Sequence, residues 1–331
     1  MSDTFLQSAS VFGGMKLDFL DVESQYLKDN PLGDSYKRKV AVIRPEEAEG
    51  IPAILYLSGY FSSPVMQLNP DPLSENLKER LERLVREGKV PKITLILPDT
   101  FTKLGGNQYI DSPAAGQYES FLMKEVIPLV KENYSIDRFA VMGKSSGGFG
   151  ALHLGSKYEF SAIASHSADA YFEYAYLPLF PRAIPTLRRT GDPRDYVSYF
   201  WSQADRKRRD LMDALMIVGL SAFYSKSSTI ELPFDLETGE ILEDVWKTWL
   251  EFDPVRFLPR RMEKVKGKRV YIDVGDRDDF FLQYGNKIIH KILRNWKVDH
   301  IFEEFRGGHM NTSYRYELSL SFLSKSLYET N

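Results

Sequence analysis

Ser145 sits in Gly143-Lys144-Ser145-Ser146-Gly147, directly after the apolar run RFAVM at 138–142 and before a stretch with helical character. Glycines on both sides of a serine relieve crowding at a sharp strand-to-helix turn and let the hydroxyl stand at the carboxyl edge of a sheet. Such a hydroxyl is a poor nucleophile until a base takes its proton, an acid orients that base and donors await the oxyanion. The five-residue pattern alone is equally a glycine-rich packing turn. The rest of the chain must supply the partners.

With the chain order serine, acid, histidine, the base lies late. Each of the five histidines can be weighed. His153 falls on the helix after the turn and reads as a packing residue. His166 ends a strand near the carboxyl edge, where it can line a site, but it precedes any late acid. His290 and His300 read as structural. His309, in Gly307-Gly308-His309-Met310, follows the last strand, where a general base belongs. The acid is expected in Gly275-Asp276-Arg277-Asp278-Asp279, right after the strand RVYIDV. Asp278 is the first choice, Asp276 and Asp279 are its rivals, and Asp169 is an alternative one strand earlier; Asp273, within the strand, reads as structural. A solvated acidic turn is the competing reading. For the oxyanion, the Ser146 N–H comes with the turn at the positive end of a helix. The second donor is expected from LSGYFSS at 57–63, from Tyr60 first and Phe61 second.

Short apolar runs alternating with helical patterns predict the elements that hold these residues, a mostly parallel sheet covered by helices. KVAVIR at 39–44 reads as an edge strand; AILYLS at 53–58, KITLIL at 92–97, RFAVM, SAIAS at 161–165, RVYIDV at 269–274 and 300–305 complete the set. Leu73, Leu77, Leu81, Leu84 and Val85 mark a helix ended by Gly88. A second apolar stripe at Leu122, Val126, Leu129 and Val130 contains Pro128, which works against a regular helix. The resulting expectation is a core of residues 1–167 and 263–331, with a helical, aromatic-rich cap inserted at 168–262. Insertions on such scaffolds gather at loops that carry function. An insertion that merely extends the core is the alternative.

The 331 residues carry 43 basic and 46 acidic side chains, a near balance that speaks against a nucleic-acid partner. With no cysteine, disulfides, thiolate metal sites and a cysteine nucleophile are excluded. No histidine–carboxylate cluster has ligand spacing, so no metal and no cofactor are expected. The N-terminus lacks the basic start and apolar run of a leader, and no segment reaches the ~18 apolar residues of a membrane span. A soluble, cytoplasmic protein acting on a small-molecule ester is the expectation, with self-association left open.

The stretches ILYLSGYFSS, PDTFTKLGGNQYIDSPAAGQYESFL, VMGKSSGGFGAL, YIDVGDRDD and EEFRGGHMNTSYRYELSL together resemble the putative-esterase family of α/β-hydrolases, the esterase D and enterochelin esterase group. The resemblance implies an α/β-hydrolase fold. It implies Ser145 as nucleophile, Asp278 as acid, His309 as base and Tyr60 and Ser146 as oxyanion donors. It also implies that GGNQYIDS at 105–112 lines the pocket, through Asn107 and Tyr109, an ordinary loop being the alternative. Phe61, Lys144, Tyr171 and Phe172 are further candidates for substrate contact. The aromatics of the insertion (Tyr171, Phe172, Tyr174, Tyr176, Phe180) suit an apolar or aryl group, or else glue the insertion to the core. The Thr-Cys pair of S-formylglutathione hydrolases is absent, which argues against that activity. The function expected is a serine carboxylic-ester hydrolase working through an acyl-enzyme. Acyl transfer by the same groups, or a non-catalytic binding protein on the same fold, are the alternatives.

Overall fold

A computed structural model describes residues 14–329; the N-terminal stretch read above for a leader lies largely outside that range. Eight strands form the main sheet: β1 (Lys16–Glu23), β2 (Lys37–Arg44), β3 (Ala53–Leu57), β4 (Thr94–Pro98), β5 (Phe139–Lys144), β6 (Ala162–His166), β7 (Arg269–Gly275) and β8 (His300–Phe305). Their spatial order is β1-β2-β4-β3-β5-β6-β7-β8. β2 runs antiparallel to β1 and β4, and the remaining neighbours are parallel. This is the sheet of an α/β-hydrolase. β3, β4 and β6 are buried at every residue, as continuous apolar runs must be when both faces are covered.

KVAVIR is not the edge. It is covered by β1, whose sequence KLDFLDVE mixes charge and apolar residues too evenly to stand out. The charges explain the pairing. Asp21 faces Lys39 and Glu23 faces Lys37 across the ladder, at 2.7 and 2.8 Å. Opposite charges at such cross-strand positions favour one register.

One sheet face is covered by α1 (Leu77–Arg86) and α10 (Tyr316–Glu329), meeting a core that includes Leu81, Leu95, Tyr271 and Leu323. α1 begins at a capping box in which Asn76 and Glu79 each accept the other's backbone N–H, both at 3.0 Å. Leu73, expected on this helix, precedes the cap and is exposed. The other face carries α2 (Ile127–Tyr134), α3 (Ser146–Gly155) and α9 (Leu282–Asn295). Just before α2, residues Leu122–Val126 widen into a π turn, with the Ile127 N–H reaching back to Leu122 O. α2 then restarts with Pro128 in its first turn, where a missing N–H costs little.

Between β6 and β7 the chain forms α4 (Phe180–Leu187), α5 (Pro193–Ser202), α6 (Arg209–Phe223), α7 (Glu243–Glu251) and α8 (Pro254–Val265). Their aromatic side chains continue the main core. Phe149 of α3 meets Phe172, Tyr224 and Phe257, and Tyr224 in turn meets Trp249. Each such ring contributes about 1.5–3 kcal/mol by burial.

Candidate active site

The turn between β5 and α3 holds Ser145 at φ 58 and ψ −124, left-handed territory that a side chain rarely occupies. The glycines around it answer a close crossing of backbones. A Cβ on Gly143 would lie 2.2 Å from Gly147 O, and one on Gly147 would lie 2.0 Å from Leu57 O. The turn is tied down by Ser145 N–H donating to His166 O at 2.9 Å and by Phe149 N–H donating to Ser145 O at 2.9 Å.

The loop after β7 gives its three aspartates three tasks. Asp276 accepts the Gly307 N–H and Asp279 accepts the His309 N–H, each at 2.9 Å, so both hold the backbone of the histidine loop. Asp278 faces the imidazole itself, with Oδ2 2.7 Å from His309 Nδ1, while its Oδ1 accepts the Phe280 N–H. A Cβ on Gly275 would lie 2.5 Å from Gly307 O, so the two loops pack backbone to backbone. His309 Nε2 lies 3.1 Å from Ser145 Oγ. The ring is buried and held edge-on by Phe280 at 5.0 Å. Residues 145, 278 and 309, far apart in sequence, thus make one continuous chain.

The Esterase family, described as "Putative esterase", matches residues 35–323. The chain belongs to this family. It is therefore a carboxylic-ester hydrolase. No curated protein matches it in sequence. Among solved structures, a ferulic acid esterase superposes with TM-score 0.61 at 19% identity, covering 95% of this chain and 99% of the other. A fluorophosphonate-binding serine hydrolase of Staphylococcus aureus, FphF, gives 0.59 at 15% identity over 94% and 99%. The enterobactin esterase of Shigella flexneri gives 0.51 at 16% identity over 95% and 61%. At these identities the likeness is one of fold.

In this esterase the early loop lies directly on the serine: a Cβ on Gly59 would meet Lys144 O at 3.2 Å and Ser145 Cβ at 3.4 Å. Tyr60 follows. Its ring is slotted between Gly106, where a Cβ would lie 2.6 Å from the ring, and Gly219 of α6, where a Cβ would lie 2.0 Å from the hydroxyl. The Phe61 N–H donates to Gly105 O at 2.8 Å, so Phe61 is unsuited as an oxyanion donor. Ser146 opens α3 directly after Ser145, and Tyr60 follows Gly59 in the loop that packs on it. Lys144, largely buried, has its ammonium pushed below the usual lysine range by burial, with Asp278 and Asp273 opposing the shift.

The loop at 105–112 supports the site from behind. Asn107 donates to Thr100 O and accepts the Tyr109 N–H, and the Tyr109 hydroxyl donates to Ser58 O. Both side chains, expected on the pocket wall, have their polar atoms engaged by backbone groups of this and neighbouring loops. Phe172, another expected contact, is fully buried against Phe149 and Tyr224, and Tyr171 is half-buried beside Tyr174. Asp253 accepts the N–H groups of both, at 2.9 and 3.0 Å. His166 does not line the site either. Its ring is buried on the face of α10, between Asp273 (2.7 Å) and Ser319 (2.8 Å).

What sequence reasoning left unassigned lies on the other side of Ser145. Asp169, weighed only as a spare triad acid, accepts from Ser145 Oγ at 3.3 Å. Its other oxygen accepts the Tyr176 hydroxyl at 2.9 Å and the Gln108 amide at 3.4 Å. Burial raises its carboxyl above the usual aspartate range, opposed by Tyr176, His309, Gln108 and Ser145. Gln108 lies between the two residues picked from that loop, and no local pattern distinguishes it.

Proposed function

We propose that the esterase acts through Ser145 as nucleophile, His309 as general base and Asp278 as the acid that orients it. The observation that carries this reading is the imidazole of His309, bridging Ser145 Oγ and Asp278 at 3.1 and 2.7 Å beside a strained strand-to-helix turn. Ser145 Oγ attacks the ester carbonyl carbon as its proton passes to His309 Nε2. The carbonyl oxygen gains the negative charge and is met by the N–H groups of Tyr60 and Ser146. The intermediate collapses by expelling the alkoxide, to which His309 returns the proton. Water, deprotonated by His309, then attacks the acyl-enzyme, and the acid leaves as Ser145 is restored. Asp278 keeps the Nδ1–H directed at itself, so that Nε2 is free to accept, and it stabilises the imidazolium. The substrates are small acyl or aryl esters, because Ser145 is only half exposed and Tyr60, Phe61 and Tyr171 are half-buried.

The test is a fluorophosphonate probe, the reagent class named for the FphF structural relative, together with a short-chain p-nitrophenyl ester. Labelling at Ser145 and hydrolysis, both lost in Ser145→Ala, are expected. A folded wild type that neither labels nor hydrolyses would instead favour a binding protein on the same fold.

A further inference from the structure

Among the described residues six acids are buried: Glu119, Asp169, Asp213, Asp253, Asp273 and Asp278. Five of them have a basic partner within ion-pair distance. Glu119 has His153 and Lys157, Asp213 has Arg182 and Arg209, Asp253 has Arg256, Asp273 has His166 and Arg315, and Asp278 has His309. Asp169 has none, and it is the one that touches Ser145. A buried carboxylate without a cation is costly, and native structures almost always pair it.

Its surroundings hold further unmet polar capacity. Gln108 Oε1 and the Tyr60 hydroxyl are buried without a hydrogen-bond partner. Gln108 is in direct contact with Asp169, whereas the Tyr60 hydroxyl stands against Gly219 of α6. An acceptor oxygen and a carboxylate therefore meet next to the nucleophile with too few donors between them. Buried polar atoms left in this state call for an explanation.

Resting on the assignment of Ser145 as nucleophile, we propose that Asp169, with Gln108, forms a subsite for a hydrogen-bond donor carried on the carbon next to the scissile carbonyl. The substrates would then be esters of α-amino or α-hydroxy acids. In the acyl-enzyme such a substituent lies three bonds from Oγ, and Asp169 Oδ1 sits 3.3 Å from the same atom. The timing of the reaction adds a reason. Ser145 has one hydroxyl proton, and when His309 takes it Asp169 loses a donor. A substrate ammonium or hydroxyl replaces that donor as the new bond forms, so the contact strengthens in the transition state, where it accelerates the reaction.

The experiment compares phenyl esters of alanine, lactic acid and isobutyric acid, which place an ammonium, a hydroxyl or a methyl group on the same carbon. Rates are corrected for each ester's reactivity with hydroxide. Wild-type kcat/KM for the alanine or the lactate ester is expected to exceed that for isobutyrate by at least about 10-fold, since sites built around a hydrogen bond reject analogues that lack it. The preferred ester identifies ammonium or hydroxyl as the group recognised. An ammonium preference is lost in both Asp169→Asn and Asp169→Leu; a hydroxyl preference is lost in Asp169→Leu. The wild-type ratio needs no variant to fold. Isobutyrate turned over as fast as both donor esters, or a preference that survives Asp169→Leu, overturns the subsite. So does a wild type that labels at Ser145 yet hydrolyses none of the three. Absence of both labelling and hydrolysis would instead overturn the role of Ser145 itself.

Discussion

Ser145–His309–Asp278 and Ser319–His166–Asp273 are two chains of the same three side chains within one fold. In the first, the histidine lies 3.1 Å from the serine and 2.7 Å from the aspartate; in the second the distances are 2.8 and 2.7 Å. By these distances they are equivalent. Their settings are not. Ser319 is buried in the first turn of α10 with its hydroxyl also donating to Tyr316 O, and Asp273 is shared with Arg315 and Tyr271. Ser145 stands half exposed on a left-handed turn at the start of α3. Hydrogen-bonded proximity makes a buried network; access and a place for the developing charge make a reaction centre.

The contrast predicts opposite outcomes for matched substitutions. Ser145→Ala should lower kcat by about 10⁴-fold or more, whereas Ser319→Ala should leave turnover near the wild-type rate; a p-nitrophenyl ester assay checks both. Asp278→Asn should cost kcat nearly as much, about 10⁴-fold, because the imidazole is then held in the wrong tautomer. Asp273→Ala should act on stability. Removing one partner of a buried ionic network costs about 3–5 kcal/mol, readable in urea unfolding, while molecules still folded keep fluorophosphonate labelling at Ser145. Gly219→Ala should be milder. Pushing the Tyr60 ring out of its slot would displace the proposed oxyanion donor, so kcat should fall about 10²-fold with little change in KM.

The smallest effects concern pH, and their signs differ. Burial would raise the Asp273 carboxyl, but His166 and Arg315 hold it below the usual range. Its contribution is thus present above the ordinary aspartate value of about 3.9 and is lost as pH falls through the lowered one. Asp169 is shifted upward, so its contribution is present below about 3.9 and is lost as pH rises through the raised value. Tm measured against pH should show the gap between wild type and Asp273→Asn closing toward acid, and that for Asp169→Asn moving the other way.

The sheet's centre was legible because β3, β4, β5 and β6 are continuous apolar runs, a pattern that burial on both faces imposes. β1 escaped because half its surface faces water and its register depends on charges supplied by β2. Residues 145, 278 and 309 could be chosen because a strained turn and two loop positions leave local marks in sequence. The choice among Asp276, Asp278 and Asp279 could not be closed there, since side-chain direction within a three-aspartate loop is decided by which Gly307 and His309 backbone groups arrive opposite. The partners of Asp169 and of His166 come from segments up to 153 residues away and carry no spacing signal.

The slot around Tyr60 has a mechanical corollary for the inserted helices. α6 supplies one wall of that slot through Gly219, and its end is pinned where the Ser112 hydroxyl donates to Ala222 O at 2.6 Å. Trp201 fastens the preceding helix to Lys103 O at 2.7 Å. An outward swing of this segment would break these bolts and unseat the Tyr60 loop. Remodelling of these helices is therefore expected to be felt first at Tyr60 and, on the proposed mechanism, in the rate of the chemical step.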